Sequence, residues 1–205
     1  MEKSNVGILI FDDVEVLDFA GPFEVFSRVR TVPGLESRWN EDSAPFSVFT
    51  VAKTKHAISA VGNLKVLPDY GFEDAPAIDI LVVPGGVGAR ALLQDTHTLE
   101  WIKLVDSASA LTSSVCTGSL VLAKSGLLAN RRATSHWGAL DGLAQIDDTI
   151  DVDREARFVD DSIVTSAGVS AGIDMSFHIV EQRCGRDVAD DTARFMDYPL
   201  VRDKP

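Results

Sequence analysis

Short unbroken apolar runs alternate along this chain with stretches in which apolar residues return every three or four positions. The run Val6 to Phe11 is stopped by Asp12 and Asp13 and reads as a buried strand. Phe46 to Ala52 alternates partially and is rich in β-formers. Asp79 to Gly86, "DILVVPGG", is a continuous apolar run ending in a tight turn, as expected of a parallel strand covered on both faces. Ala110 to Val115 and Ser162 to Gly168 supply later strands. Between them, Gly21 to Val29 has helical spacing at Phe23, Phe26 and Val29, with Pro22 placed in the first turn. His97 to Ser109, Gly118 to Leu128, Gly172 to Gly185 and Asp187 to Tyr198 follow as further helices, while Val32 to Pro45 is a loop. Strands alternating with helices predict an α/β fold with a mainly parallel sheet. No composition break divides residues 1–205, so one domain is expected.

At 205 residues the chain can bury a core without staples. Its formal net charge of −12 argues against nucleic acid or an anionic membrane surface as partner. No apolar run approaches the length of a membrane span. The start, "MEKSNVGILIF", is too soon interrupted to be a signal peptide, which predicts a cytoplasmic protein with free thiols. Neither C-x-x-C nor H-E-x-x-H spacing occurs, so no metal is expected.

One of the two cysteines stands where a strand gives way to a helix, in "LTSSVCTGSLVLAKSGLL" (Leu111 to Leu128). Ligands of doubly wound sheets bind beyond the carboxyl ends of the strands. A helix start carries partial positive charge, which favours thiolate over thiol. Small residues on either side permit a nucleophile elbow with sulfur as the nucleophile, and the N–H of Thr117 would face developing negative charge. Position alone leaves two readings of Cys116 open, a nucleophile or a small buried hydrophobe. Cys184 lies near a helix C-terminus and reads as structural.

The segments "DILVVPGG", "SSVCTGSLVLAKSGLL", "RRATSHW" and "SIVTSAGVSAGIDM" resemble the ThiJ/PfpI superfamily, of the class I glutamine amidotransferase-like fold. With "LDFAGPFEVF" they are most similar to its isonitrile hydratase branch, and the same motifs occur in the sensor half of AraC-type regulators. The resemblance runs from about Val6 to Cys184. It implies a flavodoxin-like sandwich, with helices on both faces of the sheet, and a homodimer. It implies Cys116 as nucleophile, Asp18 as its acidic partner, and an oxyanion site on the backbone of Gly86 and Thr117. Thr117 also matches the hydratase pattern by side chain. No histidine follows the cysteine, which counts against a peptidase.

Taken by its residue type, Asp18 is a helix cap or loop carboxylate; the resemblance makes it the proton-transfer group. An apolar setting would then raise its affinity for a proton. Glu24 is the second candidate acid. His136 reads either as a pocket residue or as plain structure. Gly168 and Ser170, in "AGVSAGID", are placed beside the same pocket. The function expected from the resemblance is hydration of an isonitrile to an N-substituted formamide through a cysteine thioimidate, with a small-molecule substrate and without cofactor. Two alternatives stand beside it: a metabolite- or oxidation-sensing domain, and a glyoxalase-like thiol enzyme. The chain stops soon after its last helix, without the basic helix-turn-helix module of a regulator, so the enzyme is the preferred expectation.

Overall fold

The computed structural model describes residues 3–200. In chain order the strands are β1 Ser4–Leu9, β2 Phe46–Ala52, β3 Ile58–Ser59, β4 Lys65–Val66, β5 Tyr70–Gly71, β6 Ile80–Val83, β7 Leu111–Val115, β8 Arg132–Ala133, β9 Asp151–Val152, β10 Phe158–Asp161 and β11 Ile163–Ser166. The helices are α1 Val16–Arg28, α2 Ala89–Leu92, α3 Thr96–Ala108, α4 Gly118–Lys124, α5 Leu140–Ile146, α6 Ala171–Cys184 and α7 Arg186–Phe195. Among the described residues, seven strands form one sheet in the order β10-β11-β7-β6-β1-β2-β5. All pairings are parallel except that of β10 with β11. The strands β3 with β4 and β8 with β9 make two small separate pairs.

The unbroken apolar strands are the central ones. Ile80 to Val83 is buried throughout, as are Val6, Ile8 and Leu9. The helices fall into two groups, α1 with α6 and α7, and α2, α3 and α5 around α4, the two covers of a doubly wound sheet. After β1 the chain builds β2 on one side and later returns to place β6 on the other. Strand order therefore reverses between β1 and β6, where such folds gather ligands at the carboxyl ends. None of the described helices is long and apolar enough to cross a membrane.

Two boundaries differ from the sequence reading in ways that matter. Helix α1 starts at Val16, five residues before the expected Gly21, so Pro22 lies inside it. A proline there removes one helical N–H and leaves the carbonyl of Asp18 without its usual partner. The helix survives because its apolar face (Phe19, Val25 and Phe26) is buried. Asp18 consequently sits in the first turn of α1 and not in a segment ahead of it. Helix α4 ends at Lys124 and continues as turns, short of the expected Leu128.

Candidate functional site: a buried thiol and carboxyl at the strand ends

Strand β7 ends at Val115, and the backbone turns at once through Cys116 with φ 56°. That left-handed conformation costs a non-glycine residue about 1–2 kcal/mol and needs external support. Support comes from all sides. The N–H of Cys116 donates to the carbonyls of Ser166 and Ala167, each at 3.1 Å. Its carbonyl accepts from the hydroxyls of Ser119 and Ser135, each at 3.1 Å. Two residues on, α4 begins hard against β6. A Cβ on Gly118 would lie 2.0 Å from the carbonyl oxygen of Val83, so only glycine allows this approach. The small residues around the cysteine thus build the expected elbow.

The carboxyl of Asp18 is fully buried. Its Oδ2 accepts from the N–H of Gly85 at 3.0 Å. Its Oδ1 is buried without a hydrogen-bond partner of normal geometry, while the thiol of Cys116 lies close enough to interact with the carboxyl. Gly85 is the wedge between the parts. A Cβ there would stand 2.5 Å from the backbone nitrogen and Oγ1 of Thr117, and 3.0 Å from Asp18 Oδ2. Burial raises the pKa of Asp18 from 3.8 to about 7, against the Gly85 N–H and the Cys116 thiol, which favour the carboxylate.

The cysteine departs from expectation. Burial, and then the negative charge of Asp18, push the thiol from 9.0 to about 12. The N–H groups of Thr117 and Val169 act the other way, toward a thiolate, and are outweighed. A seven-residue helix start does not overcome desolvation plus a neighbouring carboxylate. At rest, therefore, the sulfur keeps its proton, and the first proton lost near neutral pH belongs to Asp18. What the site offers is a thiol with a base beside it, not a standing thiolate. Val169 is held at φ 47°, an outlier for a β-branched residue.

The other expected residues divide. The side chain of Thr117 clasps Gly86, with Oγ1 accepting from its N–H at 3.0 Å and lying 3.2 Å from its carbonyl oxygen as donor. The N–H of Gly86 is thus already committed and does not face the sulfur as a free oxyanion donor. Glu24 is exposed on α1 and pairs with Arg28 at 3.0 Å; it is not brought to the site. The ring of His136 packs on Gly168, and both line a groove of about 560 Å³ together with Trp137 and Val169. Cys116 does not line this groove; Val169 joins the two. Ser170 is exposed beyond the groove and accepts from Arg157 at 3.2 Å. Cys184 is half-buried at the end of α6, its pKa raised by burial. The groups that reading side chains missed are backbone: the N–H of Gly85 and the N–H of Val169. Only the punctuation of "PGG" and "SAGVSAG" marks them.

Residues 4–182 match the family described as DJ-1/PfpI. The chain belongs to the DJ-1/PfpI family. Among curated relatives it is 34% identical, over 185 residues, to an isonitrile hydratase of Pseudomonas putida, covering 90% of this chain and 74% of that protein. It is 25% identical over 201 residues to the HTH-type transcriptional regulator GbdR of Pseudomonas aeruginosa, covering 98% of this chain and 52% of the regulator. It thus spans about half the length of that regulator. A solved ThiJ/PfpI family protein from Pseudomonas syringae superposes with TM-score 0.84 at 28% identity, covering 100% of this chain and 78% of that one. Drosophila melanogaster DJ-1beta, at TM-score 0.79 and 18% identity, covering 97% of this chain and 100% of that one, shares the fold. The flavodoxin-like α/β architecture expected from the sequence is the family's.

Proposed function

We propose that this protein hydrates an isonitrile, R–N≡C, to the formamide R–NH–CHO, with Cys116 as nucleophile and Asp18 as proton carrier. The observation that carries the reading is the buried Cys116–Asp18 pair, in a chain similar to an isonitrile hydratase. The Asp18 carboxylate takes the thiol proton as sulfur attacks the terminal carbon. An S–C bond forms, and the same proton passes from Asp18 to that carbon, giving the thioimidate R–N=CH–S–Cys116. Water then adds across the C=N bond, its oxygen to carbon and a proton to nitrogen, with Asp18 relaying that proton. The C–S bond breaks, the hydroxyl becomes the formyl carbonyl, and its proton returns through Asp18 to sulfur. Atoms balance with one water consumed and the pair restored. This is covalent catalysis served by a single acid–base group.

An isonitrile is slim and linear, so only its terminal carbon needs to reach the buried sulfur, and the R group would lie in the groove of His136 and Gly168. Thr117 serves as a positioning residue: its clasp on Gly86 holds the turn that aims Gly85 at Asp18. The homodimer and the cytoplasmic setting belong to the same reading, the first checked by sedimentation. The deciding experiment follows loss of the isonitrile stretch by infrared spectroscopy, with the unaltered protein, Cys116→Ala and Asp18→Asn in parallel. Turnover by the unaltered protein is expected, with none by Cys116→Ala and a rate lower by at least about a hundredfold in Asp18→Asn. No turnover on several small isonitriles would end the proposal. The second reading, a ligand-sensing domain, draws on the similarity to GbdR over nearly the whole chain. It would then gain, because binding there needs no reaction.

A further inference from the structure

The groove beside the thiol holds a hydrogen-bond donor that nothing in the protein uses. His136 is half-buried, and its ring is held in place. Nδ1 accepts from the N–H of Gly138 at 3.1 Å. One edge lies against Gly168, where a Cβ would stand 2.4 Å from Cδ2 and 3.3 Å from Nε2. The Trp137 ring sits 5.2 Å away, tilted by 37°. A ring nitrogen that accepts carries no proton, so this ring is neutral and its hydrogen is on Nε2. That Nε2–H has no partner among the described residues and is not sealed from solvent. It opens into the groove of about 560 Å³ that the ring lines.

The other walls decide what this donor meets. Trp137 is 81% exposed and, with Leu140, offers a broad apolar surface. Arg154 is paired with Asp141, and Arg157 with Asp174. Glu155 is exposed in the same wall and makes no ion pair among the described residues. The uncommitted charge of the groove is therefore negative, and an anionic arm of a substrate is disfavoured there. An uncharged acceptor, a carbonyl oxygen, suits the Nε2–H. The groove also starts close to the sulfur. Val169 lines it and points its N–H at the thiol, and Ser135, next to His136, donates to the Cys116 carbonyl at 3.1 Å. The acceptor must then lie within a few bonds of the isocyano nitrogen.

We propose that the substrate is an α-isocyano ester or amide, its carbonyl oxygen accepting from His136 Nε2–H and its apolar tail lying on Trp137. The isonitrile end of this assignment rests on the proposed hydration, with the same bonds made and broken; the groove adds recognition alone. Because Gly168 and Gly138 fix the ring beforehand, the donor is aimed before the substrate arrives.

The test measures kcat/KM for ethyl isocyanoacetate, for n-pentyl isocyanide, which has the same chain length without the carbonyl, and for the isocyanoacetate anion. The ester also alters the reactivity of the isonitrile, so the readout is the ester-to-alkyl ratio across variants. His136→Phe keeps a flat ring and removes the N–H; the ratio should fall about fivefold. His136→Gln supplies a donor again and should restore the ratio. Both variants lose the bond to Gly138, so a merely structural role would slow both substrates together and leave the ratio unmoved. One ratio in all three proteins, or faster turnover of the anion than of the ester, would overturn the assignment and leave hydration standing. A second measurement needs no turnover: calorimetric titration of Cys116→Ala with ethyl N-formylglycinate and with N-pentylformamide. Tighter binding of the first is expected, the difference being lost when His136→Phe is added. If no isonitrile is turned over, hydration fails and this titration decides the groove. Equal affinity for the two formamides, or no saturable binding with Kd below about 10 mM, would overturn the assignment.

Discussion

The thiol of Cys116 and the carboxyl of Asp18 are buried together so that one negative charge, at most, is tolerable between them near neutral pH. Each group has been pushed up, Asp18 to about 7 and Cys116 to about 12. Asp18 arrives from the first turn of α1 and Cys116 from the end of β7, and the N–H of Gly85 after β6 fixes the carboxyl in place. Three carboxyl ends of adjacent strands thus meet at the point where strand order reverses.

The first expectation concerns rate against pH. The proposed reaction needs one proton on the pair, with Asp18 ionised and the thiol not. Below about 7 the pair holds two protons and the base is lost. The kcat/KM for isonitrile hydration should therefore rise with pH through a limb near 7. Asp18→Asn should lower kcat/KM by at least about a hundredfold and abolish the limb. A limb that persists in the variant would remove Asp18 from the reaction.

The same residue makes a stability prediction. In the unfolded chain Asp18 ionises near 3.8, but in the folded protein only near 7. Below 3.8 the carboxyl is neutral in both states and costs nothing. As pH rises between those values the unfolded chain ionises first, and stability falls, by about 4 kcal/mol when the change is complete. Asn has no such ionisation. Denaturant unfolding should show Asp18→Asn gaining on the unaltered protein by about 2 kcal/mol between about pH 5.5 and pH 8. Parallel pH profiles for the two proteins would contradict the burial assigned to this carboxyl.

Thiol chemistry separates ionisation from turnover. The Asp18 charge is the second cause of the raised Cys116 value, after burial. Removing that charge should lower the thiol's pKa, so Asp18→Asn should alkylate faster with iodoacetamide at pH 8, by about tenfold. Cys184 should react at the same rate in both proteins. A variant that hydrates less and alkylates more would mark Asp18 as a proton carrier. If both rates fell together, the aspartate would be no more than a packing element.

How far the sequence could lead is clear from where the reading held and where it slipped. Val6 to Phe11 and Asp79 to Gly86 announced buried strands because burial on both faces leaves no polar alternation. Ala110 to Val115, which carries Thr112, Ser113 and Ser114, read only as a later strand, and its central place came from the structure. Cys116 was legible from its place at a strand end, and Asp18 from the resemblance. The protonation of the sulfur was not legible. It depends on how deeply two groups distant in sequence are buried together, and spacing does not report that. Glu24 and Asp18 differ by six positions on one helix, but one faces Arg28 and solvent while the other faces the thiol. With α1 read as starting at Gly21, the helical phase that separates them could not be used. The short strands β3, β4, β8 and β9 carry too few residues to show a period.

Gly85 offers a further test, because it touches the site without supplying a side chain. Its N–H holds Asp18 Oδ2 at 3.0 Å, and a Cβ would come within 2.5 Å of the Thr117 nitrogen and Oγ1. Neither neighbour can yield freely: Thr117 N–H is directed at the sulfur, and Oγ1 is bonded to Gly86. Gly85→Ala must therefore push the β6 turn away from α4, at a cost of about 1–3 kcal/mol. The displaced turn carries the N–H that supports the carboxylate. Removing that support should move the acid limb of kcat/KM upward from about 7, since the hydrogen bond was lowering the Asp18 value. A merely destabilised protein would lose activity with its limb unmoved. The upward shift, read on enzyme that circular dichroism shows to be folded, is the outcome that assigns Gly85 its place in the site.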